Sequence, residues 1–294
     1  MENILDIKGL NKAYEGFALK DVTFSLPKGY IMGFVGQNGS GKTTTIRSIL
    51  NMANIDSGKI SIFGLDSVEN AVEIKERLGV VFDSLYLANH LNIKQIDKQL
   101  APFYKDWSSE EFFRRIKAFG LPDNKKVGDF SKGMKMKLMV AVALSHKAEL
   151  MILDEPTSGL DPVARDELLD ILSEYISDDS RSVLFSTHIT SDVERIADYI
   201  TVLHGGKVWF TGTKDELHEK YLVLRGAEED ISSSLREKCI GFHGYRNGFD
   251  ALISADLLDE IPPELETEKA SIDEILVYIA KEDSHEKRSE NDEV

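Results

Sequence analysis

Residues 36–44 read Gly36, Gln37, Asn38, Gly39, Ser40, Gly41, Lys42, Thr43 and Thr44. Glycines at this spacing let backbone N–H groups converge on phosphate oxygens, and a helix that follows presents its positive end to the same anion. Lys42 adds a mobile ammonium for β- and γ-phosphates, and the Thr43 hydroxyl suits Mg²⁺. The pattern G-x-x-x-x-G-K-[ST] carries weight only between a strand and a helix. Both flanks meet that test. Tyr30–Val35 is an unbroken apolar run of strand length, and TTTIRSILNM continues with helical character. The alternative is a glycine-rich turn that merely joins a strand to a helix.

A phosphate loop needs an acid at the tip of a buried strand. Leu150–Leu153 is such a strand, and Asp154-Glu155 follows it. Asp154 is placed for the Mg²⁺ shell, while Glu155 can act on an attacking water as general base. By itself LMILDE is a common strand end. Paired with the phosphate loop it points to a nucleoside triphosphatase.

Short apolar runs alternate with helical patterns over residues 1–221, as in α/β proteins. Ile60–Phe63, Gly79–Phe82, Ser182–Phe185 and Tyr199–Leu203 read as further strands. Lys207–Phe210 after Gly205-Gly206 suggests a hairpin. Leu138–Leu144 is too apolar all round for a surface helix and reads as a buried one. It is also the longest apolar run, far short of the ~18 residues a membrane-spanning helix needs. The amino terminus has no secretory pattern. One cysteine, Cys239, excludes an intramolecular disulfide and a multi-cysteine metal site. These features lead to the expectation of a soluble cytoplasmic protein.

The chain carries a net charge of −16, unevenly spread. Residues 222–294 hold 19 acidic and 8 basic side chains, against 32 and 27 in residues 1–221. The shift supports a boundary near residue 221. Beyond it the pattern is strand, helix, hairpin, helix, a small α/β accessory domain over 222–280. Its last helix opens on the capping-box spacing Ser271 to Glu274. Residues 281–294 are almost wholly polar and read as a disordered acidic tail.

SerLysGlyMet at 131–134 and DEPTSGLD at 154–161 resemble the signature segment and the strand-and-loop sequence of ABC-type ATPases. The similarity covers most of residues 1–221. It implies an α/β phosphate-loop core of ABC ATPase type, with an N-terminal antiparallel β part and a compact helical subdomain at about 84–147. Tyr14 stands where the family places an aromatic that stacks on adenine, and His188 where it places a histidine near the γ-phosphate. Alone, Tyr14 reads as packing, His188 as a polar loop residue and Ser131 as a helix N-cap. The resemblance instead implies that Ser131 and Gly133 grip the γ-phosphate of ATP held by a second nucleotide-binding subunit. Ser158–Asp161 resembles a loop touching that opposite site.

Three positions depart from the family pattern. Asp83 replaces a glutamine that contributes a Mg²⁺ ligand; aspartate also offers a hard oxygen, with Ser84 as the alternative donor. SKGM replaces the commoner SGGQ, and Lys137 stands where arginine is frequent. Aromatic and apolar residues in LANHLNIKQIDKQLAPFYKDW suit either a subdomain core or contact with a membrane partner.

The resemblance implies an ATPase subunit with ATP and Mg²⁺ as cofactors, at the cytoplasmic face of the cell membrane. It would drive export of a drug, antimicrobial peptide or lipid-like cargo through an integral membrane permease subunit, with a homodimer expected and a heterodimer possible. The alternative is a soluble ABC ATPase acting on ribosomes or DNA. No long coiled-coil insertion or second cassette supports it, and the acidic tail would repel phosphate backbones, so no nucleic acid is expected. A kinase or GTPase is weaker still, because no N-K-x-D segment accompanies the phosphate loop.

Overall fold

The computed structural model describes residues 2–83 and 87–281. The chain divides into two compact units between Thr211 and Gly212.

The first unit opens with a long hairpin, β1 (Asn3–Tyr14) and β2 (Phe17–Pro27), followed by β3 (Ile31–Val35) and α1 (Lys42–Ile49). β4 (Ser57–Ile62), β5 (Leu65–Asp66), α2 (Ala71–Arg77) and β6 (Leu78–Val81) come next. Helices α3 (Ile93–Leu100), α4 (Ser109–Ala118) and α5 (Lys132–Ser145) precede β7 (Leu150–Asp154) and α6 (Pro162–Tyr175). β8 (Ser182–Thr187), α7 (Thr190–Ile196), β9 (Tyr199–His204) and β10 (Lys207–Thr213) complete it, the last two residues of β10 already counting with the second unit.

Two sheets result. β2-β1-β4-β5 is antiparallel, and β10-β9-β3-β8-β7-β6 has a parallel centre. The central strands β3, β7 and β8 are buried at every position, as a parallel sheet covered on both faces requires. Gly205 and Gly206 both have positive φ, which makes the two-residue turn the hairpin reading expects. Apolar side chains of both sheets and of α1 share one core, including Phe24, Phe34, Ile46 and Leu184. Each fully buried side chain of this size contributes roughly 1.5–3 kcal/mol.

Between Leu91 and Ala141 a separate apolar cluster holds α3, α4 and α5 together around Ile96, Phe112, Ile116 and Leu138. Of the helical subdomain expected at about 84–147, the first residues, including Ser84, lie outside the described ones. α3 starts on a capping box between Asn92 and Gln95, and α4 on Ser108, whose hydroxyl accepts from the Glu111 N–H. Most of the 138–144 run is buried, as its composition implies.

The second unit contains α8 (Lys214–Lys220), β11 (Tyr221–Gly226), α9 (Ser233–Glu237), β12 (Ile240–Tyr245), β13 (Gly248–Ser254), β14 (Glu266–Lys269) and a helix over 272–281, here α10. Its antiparallel sheet runs β12-β13-β11-β14. The boundary therefore falls ten residues before the composition shift at 221. Thr213 ends β10 and opens α8 through a capping box with Glu216, and α8 buries Leu217 within the second unit. β14 was not legible: its residues ETEK are all exposed and carry no apolar alternation. The Ser271 to Glu274 box at the start of α10 forms as its spacing predicts. Of the residues read as a disordered tail, 282–294 lie outside the described ones.

Candidate active site

Strand register assembles the site. β8 lies between β3 and β7, with Val35 opposite Thr187 and Asp154 opposite Ser186. The chain leaves β3 at Gly36, β7 at Glu155 and β8 at His188, so three segments far apart in sequence emerge side by side at the carboxyl edge, where α/β sheets bind ligands.

The loop from Gly36 to Gly41 is built for close approach. A Cβ on Gly36 would stand 2.3 Å from the Leu203 carbonyl oxygen. Gly41, at φ 112°, leaves no room either, since a Cβ there would meet Leu19 at 2.5 Å and Phe17 at 2.8 Å. Ser40 N donates to the Gln37 carbonyl at 3.1 Å, and the Gly206 N–H donates to the Ser40 carbonyl at 3.1 Å, which staples the loop to the β9–β10 turn. No side chain caps the start of α1, and no acid occupies its first turn. Its positive end is thus available to an anion.

Lys42 is buried, with Nζ donating to the carbonyl oxygens of Gly36 at 2.7 Å and Gln37 at 3.3 Å. The same ammonium lies 3.3 Å from Glu155 Oε1. His188 Nδ1 sits 2.7 Å from Glu155 Oε2. One carboxylate therefore spans the phosphate-loop lysine and the histidine after β8. Glu155 adopts φ 51°, the left-handed region that a residue with a Cβ rarely enters. Such strain persists where surrounding contacts over-determine it. Here the Glu155 N–H is held by both the hydroxyl and the carbonyl of Ser186, at 3.0 and 3.2 Å.

Asp154 is buried beside this pair. The Ser186 hydroxyl donates to its Oδ1 at 2.6 Å and the Thr43 hydroxyl at 3.3 Å. Thr43 and Asp154 present adjacent hard oxygens, the donor type Mg²⁺ prefers. Among the described residues no group of three or more His, Cys, Asp or Glu could hold a metal by itself.

The other expected site residues are more scattered. Tyr14 is 51% exposed at the end of β1, with the Lys12 ammonium 5.3 Å from its ring centre. Its cross-strand partner is Phe17, the residue that crowds Gly41, so the hairpin end abuts the phosphate loop. Thr44 lies in α1, its carbonyl accepting from the Ser48 hydroxyl. Asn38 and Gly39 are exposed on the loop. Asp83 is exposed two residues past Val81, the partner of Leu153, so its backbone leaves the sheet at the same edge as Glu155. Ser131 caps α5, accepting from the Met134 N–H at 3.2 Å. Gly133 packs toward Ala164 at the start of α6, where a Cβ would meet the alanine at 3.1 Å. Gly133 is thus held close to α6, while Ser131 is exposed at the start of α5. Asp161 caps α6 through the N–H groups of Val163 and Ala164.

Ser186 escaped the sequence reading. The only signal was a polar pair, Ser186-Thr187, directly after the apolar run Val183–Phe185, and both side chains are fully buried.

A family model described as ABC transporter matches residues 19–158. The chain is 33% identical over 209 residues to the ABC transporter ATP-binding protein NatA of Bacillus subtilis, covering 69% of this chain and 84% of that protein. It is 32% identical over 262 residues to the bacitracin transport ATP-binding protein BcrA of Bacillus licheniformis, covering 86% and 85%. A solved structure of an ATP-binding subunit of an ABC transporter superposes with a TM-score of 0.66 at 32% identity, over 73% of this chain and 92% of that one. The chain belongs to the ABC transporter family and is an ATP-binding, ATP-hydrolysing member of it.

Proposed function

We propose that Glu155 is the general base of ATP hydrolysis, with Lys42 and His188 as its working neighbours, in a subunit that powers export through a separately encoded permease. Support for the base comes from one observation: the Glu155 carboxylate joins Lys42 and His188 at the carboxyl edge of β3, β7 and β8. The β- and γ-phosphates lie along the loop N–H groups, the start of α1 and the Lys42 ammonium. Glu155 accepts the proton of the attacking water at one carboxylate oxygen while His188 holds the other. Thr43 and Asp154 are the residues that would hold Mg²⁺, with the Asp83 carboxylate as a further oxygen donor. When bound, the metal neutralises charge developing on the phosphate oxygens. Tyr14 offers its exposed ring to adenine. Ser131 and Gly133 face the ATP of a second nucleotide-binding subunit, a homodimer completing two sites.

The permease has a surface to meet. A cavity of about 500 Å³ is lined by Leu50, Met52, Val72, Phe82, Phe103 and Tyr104, among others. Met52, Val72 and Phe103 are 58%, 77% and 78% exposed at its rim. Exposed apolar side chains gathered at a concave surface mark interaction sites. Phe103 and Tyr104 belong to the stretch that suits either core or partner; Ile93, Ile96 and Trp107 of the same stretch serve the helical core. No helix among the described residues is long and apolar enough to cross a membrane, so a permease must supply the path. The chain then works at the cytoplasmic face of the membrane. The bacitracin transport relative supports an antimicrobial peptide or similar amphiphile as cargo.

The test is co-expression of the full chain with the membrane protein encoded beside its gene. Retention of that protein through purification, lost on Phe103→Glu while ATP hydrolysis by the chain persists, is the expected result. Retention unchanged by Phe103→Glu, or recovery with ribosomes or DNA instead, overturns it.

A further inference from the structure

Asp192 is an acid with no solvent exposure, placed one helical turn after His188. Its Oδ2 accepts from the Thr157 hydroxyl at 2.6 Å, and its Oδ1 pairs with Arg165 Nε at 2.5 Å. Arg165 also donates to the Ser191 hydroxyl. Thr157 lies two residues after Glu155, and Arg165 lies in the first turns of α6, at the far end of the same loop. Asp192 therefore clamps both ends of the segment that follows Glu155 onto the helix that follows His188. The neighbouring Val193 packs so tightly on β3 that a Cβ at Gly33 would lie 2.6 Å away. α7 is thereby seated on the strand that leads into the phosphate loop.

We infer that Asp192 is a positioning residue for hydrolysis, setting through Thr157 and Arg165 the meeting of Glu155 with His188. The inference rests on Glu155 and His188 forming the working pair. Asp192 touches neither of them and acts only through backbone placement. A buried carboxylate is an effective clamp because the alternative, an unpaired buried charge, is strongly disfavoured. Small displacements matter because the Glu155–His188 contact is a single hydrogen bond of 2.7 Å.

The experiment measures steady-state ATP hydrolysis by the full chain with Asp192→Asn, His188→Ala and the double variant. Asparagine keeps the size and an oxygen for Thr157 but loses the charge that holds Arg165. The expected result is a kcat loss on the order of 10–10²-fold with KM for ATP little changed. The double variant should lose no more than His188→Ala alone, because both substitutions break one unit. If Asp192→Asn does not fold, Arg165→Lys makes the same test at a partly exposed position, with a smaller kcat loss and the same non-additivity. Parent-like kcat in the Asp192 and Arg165 variants, losses that multiply with His188→Ala, or a rise in KM alone would overturn the positioning role. Parent-like kcat in His188→Ala would instead remove the pair itself, and the inference with it.

Discussion

Lys42 Nζ and Glu155 Oε1 lie 3.3 Å apart, joining a lysine at the start of α1 to an acid 113 positions later. The ammonium also holds the Gly36 and Gln37 carbonyls. Glu155→Gln keeps the side-chain size and removes the base. ATP binding should persist while hydrolysis falls by roughly 10²–10⁴-fold. Single-turnover kinetics beside a binding isotherm separate the two; hydrolysis at the parent rate would show that Glu155 is not the base.

Ser186 supports two functional residues at once, through the Asp154 carboxylate and the Glu155 N–H. Ser186→Ala removes a hydrogen bond to a buried charged group, a loss of about 1.5–3 kcal/mol. Asp154 then has the Thr43 hydroxyl as its remaining partner of the two. A higher Mg²⁺ concentration should be needed for half-maximal hydrolysis, together with a lower Tm. Ser186→Thr, which keeps the hydroxyl, should recover the Mg²⁺ dependence. A Mg²⁺ titration of both variants is the check.

His146 lies in the wall of the apolar cavity, stacked on Tyr104 at 4.0 Å between ring centres. Burial pushes its imidazole down to about 4, against weaker support from the Glu76 backbone. An unfolded histidine titrates near 6.5, so below that pH the unfolded chain takes up the proton first. The stability contribution is complete above about 6.5 and is lost as pH falls toward 4, reaching on the order of 3 kcal/mol. His146→Phe keeps the ring and removes the titration. Calorimetric Tm values should fall less between pH 7 and 5 in the variant than in the parent. Parallel curves would exclude the histidine as a contributor.

Truncation after Thr213 removes all but the first two residues of the second unit and leaves β10 whole. No phosphate-loop or acid–base residue lies beyond that point, and each unit has its own apolar core. The shortened chain should bind ATP with parent-like affinity, while dimerisation or coupling to the permease changes. Loss of all nucleotide binding would place the removed residues in the site.

The chemistry of this protein is carried by local patterns, and those are legible in the sequence. Gly36–Gly41 must be a loop between strand and helix because the glycine spacing, the apolar run before it and the helical pattern after it admit little else. Asp154-Glu155 must sit at a buried strand tip because four apolar residues precede it. The domain boundary was displaced because composition records charge, whereas Leu217 in α8 is buried with the unit that follows. Tertiary structure alone decided which residues meet. Parallel pairing brings residues 36, 155 and 188 to one edge across separations that no periodicity encodes. The left-handed backbone of Glu155 and the role of Ser186 depend on contacts made across strands, and a residue's neighbours in sequence carry no trace of them. Asp192 is the plainest case: on its own helix it reads as an ordinary polar position, and only burial against Thr157 and Arg165 gives its charge a task.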